Sequence, residues 1–147
     1  MAIAKQGNDA MKIVRPVVVV ILLFFLASCV TSTEKLEKSS STITAERIYS
    51  ENYQEIYRRV SGEAKRCMAV NMLLYSSMEV DAELYTELGF GEVTWSLINI
   101  GVRNYFMKVK IEKLETGSKL TIASGNTLNK QGVIKRVLLW ADGGKDC

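Results

Sequence analysis

Glu79, Asp81 and Glu83 recur at spacing two, and Glu87 and Glu92 follow close behind. Residues at that period share one face of a strand. Two carboxylates held close together suffice for glycoside hydrolysis, one as acid and the other as base or nucleophile. The competing reading is the solvent face of a strand near a sheet edge. Such crowded like charge could also hold a cation weakly, but the Gly-punctuated loop of a calcium hand is missing. The chain has no His, which removes the commonest general base and the Ser-His-Asp and Cys-His mechanisms. Gly89-Phe90-Gly91 lacks the Lys-Ser/Thr ending of a phosphate loop and does not precede a helix. Asn99-Ile100-Gly101-Val102-Arg103-Asn104 joins two strands, and its polar members Asn99, Arg103 and Asn104 are the candidate partner-binding residues of a hairpin tip. Tyr85, Phe90 and Trp95 offer a second partner surface, although Trp95 is in phase with Val93 and Leu97 and reads better as core.

Cysteine supplies the remaining chemistry. Lys12 and Arg15 precede an apolar run from Val17 to Ala27, and two small residues then lead to Cys29. That is the layout of a secretory signal. The tetrad Leu26-Ala27-Ser28-Cys29 resembles the lipobox of bacterial lipoproteins, a likeness confined to the first thirty or so residues. It implies a diacylglycerol on the Cys29 thiol, cleavage just before that residue, and acylation, as with palmitate, of the new N-terminus. The apolar run is nearer half of the about 20 residues that span a bilayer, which argues against a transmembrane helix. A plain cleaved signal is the stronger rival. Met11 to Pro16 forms a compact basic segment by itself, so translation is expected to begin at Met11. Val30 stands where Asp retains enterobacterial lipoproteins in the inner membrane, so the outer membrane is the expected address, with the domain facing the periplasm.

Cys67 and Cys147 are left. In an oxidising periplasm an even count reads as a disulfide, contributing roughly 4–5 kcal/mol for a loop of about 80 residues. Two isolated Cys without His are too few for structural zinc, and Cys-x-x-Cys is absent. No metal or cofactor is expected.

Lys5, Lys12 and Arg15 against Asp9 give the leader +2 of the net +3, leaving about +1 beyond it. Nucleic-acid binding, which needs a concentrated basic face, has no support. Residues 29–44 are rich in Ser, Thr, Glu and Lys and read as a flexible tether, holding the domain on the order of 20 Å from the bilayer. Residues 45–147 suit one domain behind a 1–28 leader.

The elements that must position these residues follow from periodicity. Tyr53, Ile56, Tyr57, Val60, Ala64 and Cys67 form one helical stripe, with Ser50 placed as its cap and Arg58, Arg59, Lys65 and Arg66 on solvated faces. Alternation then marks strands through Met78–Leu84, Val93–Leu97, Tyr105–Ile111 and Leu120–Ile122. Val70 to Tyr75 is too uniformly apolar to phase. Val133, Ile134, Val137, Leu138 and Ala141 share the face of a closing helix, stopped by Gly143-Gly144. The expectation is α+β: a helix, an antiparallel meander of four to five strands and a C-terminal helix in a two-layer sandwich. The functional expectation is a non-enzymatic, lipid-anchored envelope module that binds an envelope protein or cell-wall component. The alternatives are a glycan-acting enzyme using the carboxylates, or a surface-exposed ligand-binding lipoprotein.

Overall fold

The computed structural model describes residues 31–73 and 75–147. The 1–28 leader, the start at Met11 and the lipidation position Cys29 lie outside the described residues. In chain order the elements are α1 (Thr33–Lys38), β1 (Ile43–Tyr49), α2 (Tyr53–Met68), β2 (Val70–Leu73), β3 (Ser76–Tyr85), β4 (Phe90–Asn99), β5 (Val102–Lys113), β6 (Ser118–Ser124) and α3 (Lys130–Ala141). The fold is α+β. All strand pairs are antiparallel, in the order β1-β6-β5-β4-β3-β2.

The α2 stripe is buried at Tyr53, Ile56, Val60, Ala64 and Met68. Its cap is Asn52, whose side-chain oxygen accepts from the Gln54 N–H at 2.8 Å, two residues beyond the expected Ser50. Gly62 faces open space, so the helix passes through it unbroken. Arg58 and Arg66 pair one turn back with Glu55 and Glu63, at 2.9 and 2.6 Å, as expected of a solvated face. The α3 helix buries Val133, Ile134, Val137, Trp140 and Ala141. Both helices pack on one face of the sheet, α2 over β3 to β5 and α3 beside it over β6 and β1. Between the layers lie Val93, Met107, Val109, Ile111, Leu120 and Ile122.

Three features differ from expectation. The sheet has six strands, because β1 runs ahead of α2 and Val70–Leu73 pairs with β3. The two-layer arrangement is incomplete, because a short helix, α1, covers part of the second sheet face over β5 and β6. The stretch read as a flexible tether is ordered from Ser32 onward. Ser32 caps α1 by accepting from the Lys35 N–H, Leu36 is fully buried, and the Thr42 hydroxyl donates to the Leu36 carbonyl at 2.6 Å. A single buried leucine and a local hydrogen-bond frame suffice to dock one and a half turns of a helix that could not persist alone.

Gly117 closes the β5–β6 turn at φ +84°, and a Cβ there would lie 2.0 Å from the Tyr49 carbonyl oxygen. That carbonyl is backbone of the neighbouring edge strand and cannot swing aside. Gly117→Ala is therefore expected to cost about 2–4 kcal/mol, as left-handed strain plus overpacking, measured by urea denaturation. A loss under about 0.5 kcal/mol would show that the turn relaxes freely.

Candidate functional site: the open face of the sheet

Residues whose side chains oppose α2 and α3 make up the second face, which α1 covers only over β5 and β6. Glu79, Asp81 and Glu83 of β3 stand opposite Ser96, Thr94 and Glu92 of β4, so the carboxylates do share a face. Among them is a cation. Arg103 donates through Nη2 to Glu79 at 2.9 Å and through Nη1 to Asp81. Burial works to lower the Arg103 pKa, but the hydrogen bond and charge of Asp81, with Tyr105 and Glu79, outweigh it and hold the guanidinium above its ordinary value. Lys108 behaves alike: burial works against its charge, yet Glu37 of α1 at 3.2 Å and Glu92 at 3.3 Å raise its pKa. A raised cation contributes its stabilisation fully below the ordinary lysine or arginine pKa and loses it only as pH climbs through the folded value. The network is thus intact through neutral pH.

A bulge puts Arg103 there. Trp95 pairs with Met107 and Ser96 with Tyr105, so Phe106 is an extra residue in β5. One extra residue reverses the facing of the side chains on one side of it relative to those on the other. Met107, Val109 and Ile111 face the helices, whereas Tyr105 and Arg103, in the same odd-numbered phase, turn to the open face. Alternation alone placed Tyr105 with Met107 in the core, and the structure corrects that. The bulge carbonyls are satisfied from the segment after β6: the Gly125 N–H donates to Phe106 O at 2.9 Å and the Asn126 side chain to Tyr105 O at 3.0 Å. Phe106 packs on Trp95, ring centroids 5.1 Å apart, and Trp95 lies against the core.

The three polar residues expected at the hairpin tip do not all converge: Asn99 and Asn104 share one face and Arg103 takes the other. Ile100 and Gly101 form the tip, both at positive φ, as a two-residue hairpin turn requires. Asn99 is exposed at the end of β4. Arg103 leaves for the carboxylates, and Asn104 lies opposite Leu97, on the other face from Arg103. Asp81, Glu83, Glu92, Thr94 and Tyr105 line a shallow hollow of about 180 Å³. The Tyr85 hydroxyl donates to Glu83, and its ring stacks on Phe90 at 4.8 Å. Among the described residues, no three Cys, Asp or Glu side chains converge as metal ligands.

Arg103→Met would leave Glu79 and Asp81 as like charges two residues apart on one strand. The ion pairs are part-exposed, so the expected loss is about 1 kcal/mol at low salt, smaller at high salt. Urea midpoints at two ionic strengths check this, and a salt-independent loss would point to packing instead.

Cys67, at the end of α2, is bonded to Cys147, with a Cα–Cα distance of 5.3 Å. No helix among the described residues is long and apolar enough to cross a membrane.

No family model matches this chain, and no curated protein matches it either. Among solved structures it is similar to protein CV1439 from Chromobacterium violaceum, with 16% identity and a TM-score of 0.37 over 72% of this chain and 99% of that one. It is also similar to DynU16, from the dynemicin biosynthetic locus, with 11% identity and a TM-score of 0.35 over 71% of this chain and 44% of that one. Likenesses at that level carry no argument about what this protein does.

Proposed function

We propose that the chain is a lipid-anchored lipoprotein of the bacterial outer membrane, whose domain is a non-enzymatic binding module facing the periplasm. The observation that carries this is Leu26-Ala27-Ser28-Cys29 behind the Val17–Ala27 apolar run. Two further features support it. A Cys67–Cys147 bond suits an oxidising compartment. Ser32 caps the helix Thr33–Lys38, so ordered chain stands a few residues behind the cleavage position that the motif implies. Its partner on this reading is another envelope protein or a cell-wall component.

The test is fractionation of cells carrying wild type or Cys29→Ser. Wild type is expected in the outer-membrane fraction, released by detergent and not by high salt, because acyl chains hold by about 0.8 kcal/mol per buried CH₂. Cys29→Ser is expected to leave that fraction. A wild type that salt releases would overturn the anchor. Protease shaving of intact cells separates the periplasmic orientation from surface display.

The hollow at Glu83 and Glu92 keeps an enzymatic second reading in view, with a glycan as substrate. At about 180 Å³ it is smaller than the roughly 300–1,000 Å³ of ordinary ligand sites. Asp81 and Glu92 are moreover engaged by Arg103 and Lys108. Cell-wall turnover abolished by Glu83→Gln or Glu79→Gln would favour it over the binding module.

A further inference from the structure

We infer that the open sheet face lies against the phospholipid headgroup layer, with the α2/α3 layer turned away from the membrane. This rests on Cys29 being the lipidated residue. The new element is the position of α1. A sixteen-residue coil between lipid and domain would let the domain tumble freely, but the chain is already docked at Thr33. Three residues lie between Cys29 and Thr33, so across four fully extended Cα–Cα steps the anchor lies within about 14 Å of the start of α1.

That helix is fixed to one face only. Leu36 is fully buried yet stands apart from the core shared by α2 and α3. Glu37 pairs with Lys108, whose neighbours Met107 and Val109 point the opposite way into that core. A Cβ on Gly125 would meet the Leu36 side chain at 2.8 Å, and Lys130 donates to the Ser41 carbonyl in the segment after α1. The chain therefore enters α1 on the open-face side, and the anchor is tethered there. Helices α2 and α3 lie across the sheet, a further helix diameter of about 10 Å away.

The cause of this orientation is covalent. Each of the four bases on the open face is already paired: Arg103 with Glu79 and Asp81, Lys108 with Glu37 and Glu92, Lys110 with Glu112, and Lys119 with Glu46. On α1, Lys38 pairs with Glu34 and exposed Lys35 alone has no ion-pair partner among the described residues; one lysine is not the cluster that recruits anionic lipid, so the orientation should depend little on salt. The surfaces open to a periplasmic partner are then α2, α3 and the β2 edge.

The experiment uses the lipidated full chain in vesicles of phosphatidylethanolamine and phosphatidylglycerol carrying a headgroup acceptor dye. A donor is placed on Thr94→Cys or Lys110→Cys of the open face, or on exposed Lys135→Cys of α3. Energy transfer is expected to be several-fold stronger from either open-face position than from α3, at low and high salt alike. A Gly/Ser insertion of about 20 residues between Thr31 and Ser32, with a reach near 25 Å, should abolish the difference. Protein that floats with the vesicles but transfers equally from both faces, or more strongly from α3, overturns the orientation and leaves the anchor standing. A difference that survives the insertion overturns it too, because some other contact must then hold the face down. Protein that fails to float removes the anchor reading, and the orientation falls with it.

Discussion

Removing the disulfide, as Cys67→Ser with Cys147→Ser, is expected to lower the unfolding free energy by about 4–5 kcal/mol. The bond closes a separation of 80 residues, from the end of α2 to the last residue of the chain. Strands β2 to β6 and the whole of α3 lie inside that loop, so the unfolded chain gains most of its freedom when the link is cut. A domain of this size holds about 5–15 kcal/mol in all, and the reduced protein should be near its folding limit at physiological temperature. Urea unfolding of oxidised protein and double mutant measures the difference. A loss below about 1 kcal/mol, or labelling of both thiols in the native protein without reductant, would mean that the ends of the domain are held by something else.

Trp140→Ala is expected to cost about 3–5 kcal/mol. The side chain is fully buried in α3, and truncation leaves a cavity that α2 and the sheet cannot both close. It has a second effect. The indole Nε1–H donates to the Asp146 carbonyl at 2.8 Å, and Arg66 donates to the carbonyl of Lys145, so the tail is fixed at the approach to Cys147. Trp140→Phe retains most of the burial and loses that hydrogen bond, which sets its own cost near 1 kcal/mol. Because Trp140 and Cys147 hold the same tail, their effects should be coupled by about 0.5–3 kcal/mol in a double-mutant cycle. Strict additivity would show that the tail and the helix are independent.

The parts of this fold that were legible in the sequence are those with a repeating apolar period. The α2 stripe from Tyr53 to Ala64 and the alternation along β3, β4 and β5 each show several matching residues, and all formed. What escaped had too few. The α1 helix buries Leu36 alone, and one residue has no period. The β1 edge strand carries Arg47 in the phase of Ile43 and Ala45, because Arg47 reaches Asp142 beyond α3 at 2.7 Å instead of entering the core. Its neighbours are Thr, Glu and Arg, so it blends into the polar stretch before it. The site divides the same way. A shared face for Glu79, Asp81 and Glu83 follows from spacing two. Arg103 among them depends on the β4–β5 register and the extra residue at Phe106, neither of which a single strand reveals. Bulges break the alternation from which strands are read, so a residue beyond one is assigned to the wrong face.

The most direct test of the lipoprotein assignment is the intact mass of protein extracted from membranes, wild type beside Cys29→Ser. The expected result is a chain beginning at residue 29 with a lipid-sized increment that the substitution removes. An unmodified chain, or one that still carries residues 1–28, would contradict it.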